Sequence, residues 1–263
     1  MSLVFAALMP HTPLLLPHVS TKELYQLPKT RAACQLLTEE LYASYVDTLI
    51  IISAHAGIQD EAFSVAGAPE LDLTFTEFGD LHTYAPLKND LELSARVRER
   101  CLRESLPVIT RTSSELDYAS AIPALLLRPG IRFNRIAVIG TSALPLKEQF
   151  DFGYALKDLI LESTTRYGVI VSTNLAHTLH TDAPFGYHKS GEIFDAEVRA
   201  RLQDYNTSRL LSMDRAVADQ AEQYALPPLV LFLGMVQRMQ YRYRELAYEH
   251  PMGVGYLTAQ FTF

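Results

Sequence analysis

Four short apolar runs alternate along this chain with longer segments of helical periodicity, and this alternation limits the fold more than any other feature. The apolar runs are residues 2–9, 47–53, 133–140 and 167–173. Runs that are apolar throughout are typical of strands that a sheet buries on both faces. The segments with helical periodicity are residues 21–45, 88–104, 146–166 and 190–203. They supply the helical crossovers that a parallel sheet needs.

The end of the chain has a different pattern. Residues 243–249 and 254–263 are two β-rich runs, joined by the turn sequence HPMG. A turn of this length between two such runs predicts an antiparallel pair. The predicted fold class is therefore α/β, with residues 1–263 in a single domain. Its central sheet is mostly parallel and flanked by helices, with a C-terminal antiparallel hairpin at one edge.

Composition excludes several kinds of partner. The net charge is −7 and no basic run is long enough to neutralise a series of phosphates, so neither nucleic acid nor an anionic membrane is expected as a partner. No apolar run approaches the roughly 20 residues of a membrane span, and no basic segment opens a signal peptide. Cys34 and Cys101 form no motif, which fits a reducing compartment. We expect a cytoplasmic protein.

Three of the eight histidines follow the carboxyl ends of predicted strands. They are His11, His55 and His177. Parallel strands bring these ends to one edge of the sheet, where ligands bind in open α/β proteins. Two neutral imidazoles with one carboxylate suit a non-haem Fe(II) centre, and a third imidazole suits a general base. The sequence does not say which histidine has which role. The candidate carboxylates are Glu222, Glu245 and Glu249, each of which could equally be a solvated charge.

Six sequence segments carry a resemblance to a known family. They are MPHTPLLLP, DTLIIISAH, FTEFGD, NLAHTLHTDAPFGYHKSGEIFD, LVLFLGM and YEHPMGVGYLTA. In this order they resemble the B-subunit type of class III extradiol ring-cleavage dioxygenases, the LigB-like superfamily. The likeness is closer to its uncharacterised branch, which is related to the Memo-like proteins.

The resemblance implies a mechanism. It makes His11 and His55 ligands of Fe(II), together with one glutamate, and it makes His177 the acid–base residue. A small catechol-like aromatic substrate would chelate the metal through two oxygens before dioxygen opens its ring. Zinc in place of iron, or no metal, are the alternatives. Homo-oligomers are common among related proteins, and we keep that state open here.

The chain departs from the family pattern at three places. It has Tyr118 after Asp117 where the family often has histidine, and Asn174 where aspartate is usual. Tyr224 stands where ring-cleaving relatives carry the metal glutamate and Memo-like ones a cysteine. Glu222, two residues earlier, could serve as the metal ligand only if that segment is not helical. Tyr118, Asn174 and Tyr224 are then expected to line the substrate pocket.

Two functions from different classes remain. The first is a non-haem, metal-dependent extradiol dioxygenase, and the second is a member that has lost catalysis and binds a small molecule or a partner protein in the same cleft. Under either function, the sequence also predicts the structure of several individual segments. His11 is expected in the cleft with at least two of Leu14–Leu16 buried beneath it, residues 75–84 form a packed loop, and residues 181–195 form a closing loop. The helix after that loop begins near Ser190, and the helix at 228–239 lies in the core.

Overall fold

The computed structural model describes residues 2–17, 19, 27–56, 61–130 and 135–263. Within them, one sheet contains ten strands. The strands are β1 (Leu3–Met9), β2 (Thr48–Ser53), β3 (Phe63–Ala66), β4 (Glu70–Phe75), β5 (Asp80–Asn89), β6 (Val108–Arg111), β7 (Arg135–Gly140), β8 (Tyr167–Ser172), β9 (Arg242–Glu249) and β10 (Tyr256–Thr262).

The centre of the sheet is parallel and its ends are antiparallel. The strand order is β4-β5-β7-β2-β8-β1-β10-β9, and β3 pairs with both β6 and β7. Strands β5, β7, β2, β8 and β1 run parallel to their neighbours in this series. Strand β10 is antiparallel to β1 and to the edge strand β9. This confirms the predicted α/β class, the mostly parallel sheet and the C-terminal hairpin at one edge.

Helices cover both faces of the sheet. They are α1 (Pro28–Ala43), α2 (Leu91–Glu104), α3 (Tyr118–Leu127), α4 (Leu146–Leu161), α5 (Lys189–Gln203), α6 (Thr207–Leu211), α7 (Arg215–Gln220) and α8 (Leu226–Met235). Ile50 and Ile52 of β2 pack into the core that contains α4 and α8, whereas Leu49 and Ile51 pack into the core that contains α1 and α3. Burial on both faces is why β2 is apolar at every one of these positions.

Two glycines allow α4 and α8 to approach closely. A Cβ at Gly153 would overlap the carbonyl oxygen of Leu231, and a Cβ at Gly234 would overlap that of Phe150. Helix α8 is buried along nearly its whole length, which confirms the core prediction for the helix, although it ends at Met235 and not at residue 239. This packing holds α8, the helix that follows the segment carrying Tyr224.

The structure corrects one local prediction and confirms another. Residues 75–84 are not a loop, because β4 ends at Phe75, a short turn follows, and β5 begins at Asp80. Gly79 closes this turn with φ of +80°, a conformation that favours glycine. Helix α5 begins at Lys189, which confirms the predicted start near Ser190, but its N-cap is His188, whose ring accepts the Ser190 N–H.

Two predicted segments lie partly outside the described residues. Residues 133 and 134 of the third apolar run and residues 21–26 of the first helical segment are not described. The described parts form β7 and α1 as predicted. No helix in the described part of the chain is long and apolar enough to cross a membrane.

Candidate functional site

The three histidines that follow strands β1, β2 and β8 come together at one edge of the sheet. The reason is topological, because these three parallel strands are neighbours in the order β2-β8-β1. The rings of His11 and His55 have centroids 5.0 Å apart. The ring of Tyr224 lies 5.3 Å from that of His55 and 5.5 Å from that of His177. We call the site formed by these four residues and Tyr118 the histidine cleft.

The tautomer of His11 follows from its hydrogen bonds. The Ser172 hydroxyl donates its only hydrogen to the carbonyl oxygen of Ala119 at 2.5 Å. Nδ1 of His11 lies 3.2 Å from the same hydroxyl oxygen and must therefore donate to it. The lone pair of the neutral ring is then on Nε2, the nitrogen available to a ligand. His11 is only 2% exposed, so it is more deeply buried than a typical cleft residue.

Asn174 holds the backbone that carries His11. Its amide oxygen accepts the backbone N–H of His11 at 3.2 Å, and its side chain is buried. Leu15 and Leu16 are buried close by in the sequence, whereas Leu14 is partly exposed. This confirms the expectation that at least two of the three leucines are buried. The role of Asn174 toward a ligand stays a prediction, because its oxygen already serves the protein.

His55 is held by a hydrogen-bonded chain that links β2 to α3. Its backbone N–H donates to the Ser53 hydroxyl at 3.1 Å, and that hydroxyl donates to Asp117 at 2.8 Å. Asp117 also caps α3 by accepting the Ser120 N–H. Tyr118 is the first residue of α3, so the cap sets its ring against His55. The two rings are stacked with centroids 5.1 Å apart, and the Tyr118 hydroxyl lies 3.3 Å from Nε2 of His55.

His177 is supported through its backbone and leaves one ring nitrogen without a partner. Its N–H donates to the carbonyl oxygen of Ala221 at 2.9 Å, and the neighbouring Ala176 N–H donates to buried Asp195 at 2.9 Å. Nδ1 of His177 is buried, and no group of the described residues lies in hydrogen-bonding geometry to it. The ring of Phe185, from the loop before α5, lies 6.4 Å away. This contact puts part of the predicted closing loop at the histidine cleft.

Burial keeps the three imidazoles neutral. It lowers the pKa of His11 well below its ordinary value, and the neighbouring His55 and His177 lower it further. Burial also lowers the pKa of His55, against the opposing effect of Asp117. The pKa of His177 is lowered mainly by burial, although the backbone at Glu222 and Leu175 raises it in part. Burial and the charge of Asp117 raise the pKa of Tyr118, whose phenol therefore stays protonated.

The donor groups do not fit a centre of two histidines and one carboxylate. Among the described residues, no group of three or more His, Cys, Asp or Glu side chains is arranged to hold a metal ion. Glu222 has φ of +49° after the end of α7, so its segment is not helical, but its side chain is exposed and joins no such group. His11, His55 and Glu222 therefore form no such ligand group in the described part of the structure, and their role as metal ligands stays a prediction.

The other two candidate carboxylates have structural roles elsewhere. Glu245 pairs with Arg199 at 2.6 Å. Glu249 accepts the backbone N–H and the hydroxyl of Thr30, each at 2.7 Å, at the start of α1. Neither is therefore free to serve the histidine cleft.

A cavity of about 370 Å³ adjoins the histidine cleft on the side of His55 and Tyr118. Polar side chains from three parts of the chain line it, among them Thr74, Glu77 and Arg111. A small molecule bound against the two rings could extend into this space.

Several supporting residues were not among the sequence-derived candidates. Ser53 and Ser172 are the last residues of β2 and β8, and each fixes a histidine or its backbone. Both could have been found from the sequence, because each is a polar residue at the end of an apolar strand. Phe185 and Asp195 both lie in the predicted closing loop of residues 181–195, but their individual contacts with the site arise from tertiary packing and leave no signal in the sequence.

Comparisons with known proteins agree with this fold. The family model described as the catalytic LigB subunit of aromatic ring-opening dioxygenase matches residues 5–259. Protein CA_C1420 of Clostridium acetobutylicum is 26% identical over 265 residues, covering 97% of this chain and 57% of that protein. The chain thus spans little more than half the length of this curated relative. The crystal structure of uncharacterized protein JW3007 from Escherichia coli K12 shares the fold, with a TM-score of 0.68 and 18% identity over 98% of this chain and 99% of that one.

Proposed function

Since the chain belongs to the family of the catalytic LigB subunit of aromatic ring-opening dioxygenases, we propose that its histidine cleft binds a small aromatic molecule with phenolic hydroxyl groups. The observation that carries this proposal is the cluster of three neutral imidazoles and two tyrosine rings at the carboxyl edge of the sheet. All five residues lie inside the matched range of residues 5–259.

The chemistry of the cleft suits a catechol-like ligand. A neutral imidazole accepts a hydrogen bond from a phenol, and Nε2 of His11 carries the lone pair to do so. The rings of Tyr118 and Tyr224 offer faces and edges against which an aromatic ligand packs, each such contact adding about 0.5–1.5 kcal/mol. A small molecule is favoured over a partner protein because His11 is only 2% exposed and a protein surface would not reach it.

His177 is the proposed proton carrier of the site. Its buried Nδ1 has no hydrogen-bond partner in the described part of the chain, and burial lowers its pKa, so the ring is neutral and can accept a proton. Tyr118 and Tyr224 flank the ligand, and Asn174 keeps the His11 backbone in place. None of these roles requires a bound metal.

A non-haem dioxygenase that opens the ring of such a ligand is the second candidate, and the family match favours it. It would use Fe(II), whereas Zn(II), which is not redox-active, would be the ion of a related metal enzyme that does not activate dioxygen. The available donor groups argue against this dioxygenase, because the described residues supply no third metal ligand beside His11 and His55. Ligand binding is therefore the function that the geometry supports best.

Calorimetric titration of chelator-treated protein with 4-methylcatechol tests the binding proposal. The matched control ligand is 3,4-dimethoxytoluene, which has the same ring without hydroxyl hydrogens. We expect saturable binding of the catechol at least about 10-fold tighter than that of the control, the contribution of one hydrogen bond or more. Equal affinities, or no binding of either compound, would contradict the proposal.

The ring-opening candidate has its own test. Protein reconstituted anaerobically with Fe(II) is mixed with 4-methylcatechol and oxygen, and oxygen uptake is followed. Uptake that is abolished by His177→Ala but kept by His180→Ala, a change at an exposed histidine, would support the dioxygenase. Cytoplasmic localisation, homo-oligomer formation and the exclusion of nucleic-acid and membrane partners stay predictions from the sequence.

A further inference from the structure

We propose that Tyr224 and Tyr118 make the histidine cleft metal-independent, and that Tyr224 is the residue that decides between a phenolic ligand and a metal ion. This inference rests on the proposed function, because it concerns what the same cleft holds. It goes beyond that function by explaining why the cleft binds an organic molecule without a metal ion.

Tyr224 occupies the place from which a third ligand would face the imidazoles. Its ring centroid lies 5.3 Å from that of His55 and 5.5 Å from that of His177. The segment between α7 and α8 is not helical, and its start at Glu222 has the left-handed φ of +49°. Both side chains are exposed, Tyr224 to 38% of its surface, and the ring of Tyr224 lies against His55 and His177.

Tyr118 occupies the second place. Its hydroxyl lies 3.3 Å from Nε2 of His55, and its ring packs edge-on against His11 with centroids 5.5 Å apart. A divalent ion needs deprotonated oxygen ligands, and a protonated phenol is a poor one. Tyr118 therefore engages the imidazole nitrogen that a metal would need, without replacing the missing carboxylate.

The result is a cleft built for neutral groups. His11 presents a lone pair at Nε2 because Ser172 holds its Nδ1 hydrogen. His55 is hydrogen-bonded to one phenol and lies against a second. A phenolic ligand brings the same kind of group as the two tyrosines, so it can join this arrangement without an ion and without a change in net charge.

One substitution should convert the cleft into a metal centre. A glutamate carboxylate reaches about as far from the backbone as the centre of a tyrosine ring, so Tyr224→Glu places a carboxylate between His55 and His177. We expect Zn(II) to bind the Tyr224→Glu protein at least about 100-fold more tightly than the wild type, since even a supporting contact to a metal ligand is worth 10- to 100-fold. Calorimetry with Zn(II) alone, after chelation, measures this affinity.

Three controls separate the carboxylate from other effects of the substitution. Tyr224→Gln has a similar size without the charge, and Tyr187→Glu adds the same charge at an exposed tyrosine outside the cleft. Both should bind Zn(II) as weakly as the wild type. Adding His55→Ala to Tyr224→Glu should remove the gain. If Tyr224→Glu does not fold, Tyr118→His offers a third imidazole against His11 and His55 and should give the same gain.

The contrary result is equally concrete. If the wild type, purified anaerobically, holds one equivalent of iron or zinc that His55→Ala removes, the cleft is a metal centre and the inference fails. It also fails if chelation abolishes 4-methylcatechol binding and added metal restores it, although the proposed binding function then stands. Absence of catechol binding with and without metal would contradict the proposed function itself.

Discussion

The hydroxyl of Tyr118 lies 3.3 Å from Nε2 of His55, and the two rings are stacked at an interplanar angle of 28°. We assign Tyr118 as the donor, since burial keeps its phenol protonated, and Nε2 as the acceptor. In this assignment His55 carries its hydrogen on Nδ1. The Tyr118 hydroxyl thus occupies a histidine nitrogen that would otherwise be open to ligands.

Tyr118→Phe should release that nitrogen. We expect the imidazole ¹⁵N resonances of His55 to shift and the free energy of unfolding to fall by about 1 kcal/mol, the usual value of one hydrogen bond. Tyr84→Phe is the matched control, because Tyr84 donates to Asp72 at 2.9 Å on the exposed hairpin of β4 and β5. Its removal should leave the His55 resonances unchanged. Unchanged resonances in Tyr118→Phe would show that the tyrosine does not bond this ring.

His11 should make the protein less stable in acid. Its pKa is lowered in the folded state, so below the ordinary value of 6.5 the unfolded chain binds a proton that the folded protein does not. The free energy of unfolding therefore falls as the pH drops below about 6.5, by at most about 1.4 kcal/mol per pH unit for this group. Urea denaturation at pH 7.5, 6 and 5 measures the effect. His11→Gln, which carries no titrating group, should show a shallower loss, and an identical loss would contradict the account.

Asp195 should change the free energy of unfolding with pH in the direction opposite to His11. It is buried, and desolvation raises its pKa from 3.8 to about 6, although its hydrogen bonds to Tyr248 and Ala176 oppose this. Between these values the folded protein keeps a proton that the unfolded chain has lost, so stability from this group falls as the pH rises from about 4 to about 6. Asp195→Asn should remove that fall, about 2 to 3 kcal/mol for a shift of this size.

The control for Asp195 is Asp219→Asn, which changes an exposed carboxyl in an ion pair with Arg215. It should leave the pH dependence of the wild type in place. Asp195→Asn should also move the backbone resonances of Ala176 and His177, because the carboxylate accepts the Ala176 N–H at 2.9 Å. A pH profile equal to that of the wild type would mean that Asp195 is not the group responsible.

The central sheet could be predicted from the sequence because each strand that is buried on both faces is a continuous apolar run. Ile50, Ile51 and Ile52 are apolar in succession since alternate residues enter two different cores. Strand β5, which lies next to the edge strand β4, could not be predicted in this way. In β5 the residues alternate irregularly between buried and exposed, and residues 75–84 therefore look like a loop although they contain a strand end, a turn and a strand start.

The histidine cleft was predictable in part for the same reason. His11, His55 and His177 each follow a strand of the central sheet, and parallel strands bring their ends together. The position of Tyr224 depends on how α7 ends and α8 begins, and that of Phe185 on how the preceding loop folds back. Such placements come from tertiary packing, which leaves no period in the sequence.

Gly153→Ala should destabilise the contact between α4 and α8. A Cβ at this position would overlap the carbonyl oxygen of Leu231 in α8, and backbone cannot move aside as a flexible side chain would. Overpacking of this kind costs typically about 1–3 kcal/mol, and we expect a loss at the upper end of that range. Thermal denaturation measures it, with Leu102→Ala at an exposed position of α2 as the control. A variant as stable as the wild type would mean that α4 and α8 are not in close contact here.

The most direct test of the central claim is a titration of chelator-treated protein with 4-methylcatechol, followed through the imidazole ¹⁵N resonances of all histidines. The account predicts that the resonances of His11, His55 and His177 shift together and saturate, while those of the exposed His82, His180, His188 and His250 stay in place. The control ligand 3,4-dimethoxytoluene should leave all of them unchanged. Saturable binding that moves the exposed histidines and leaves His11, His55 and His177 unaffected would contradict the account.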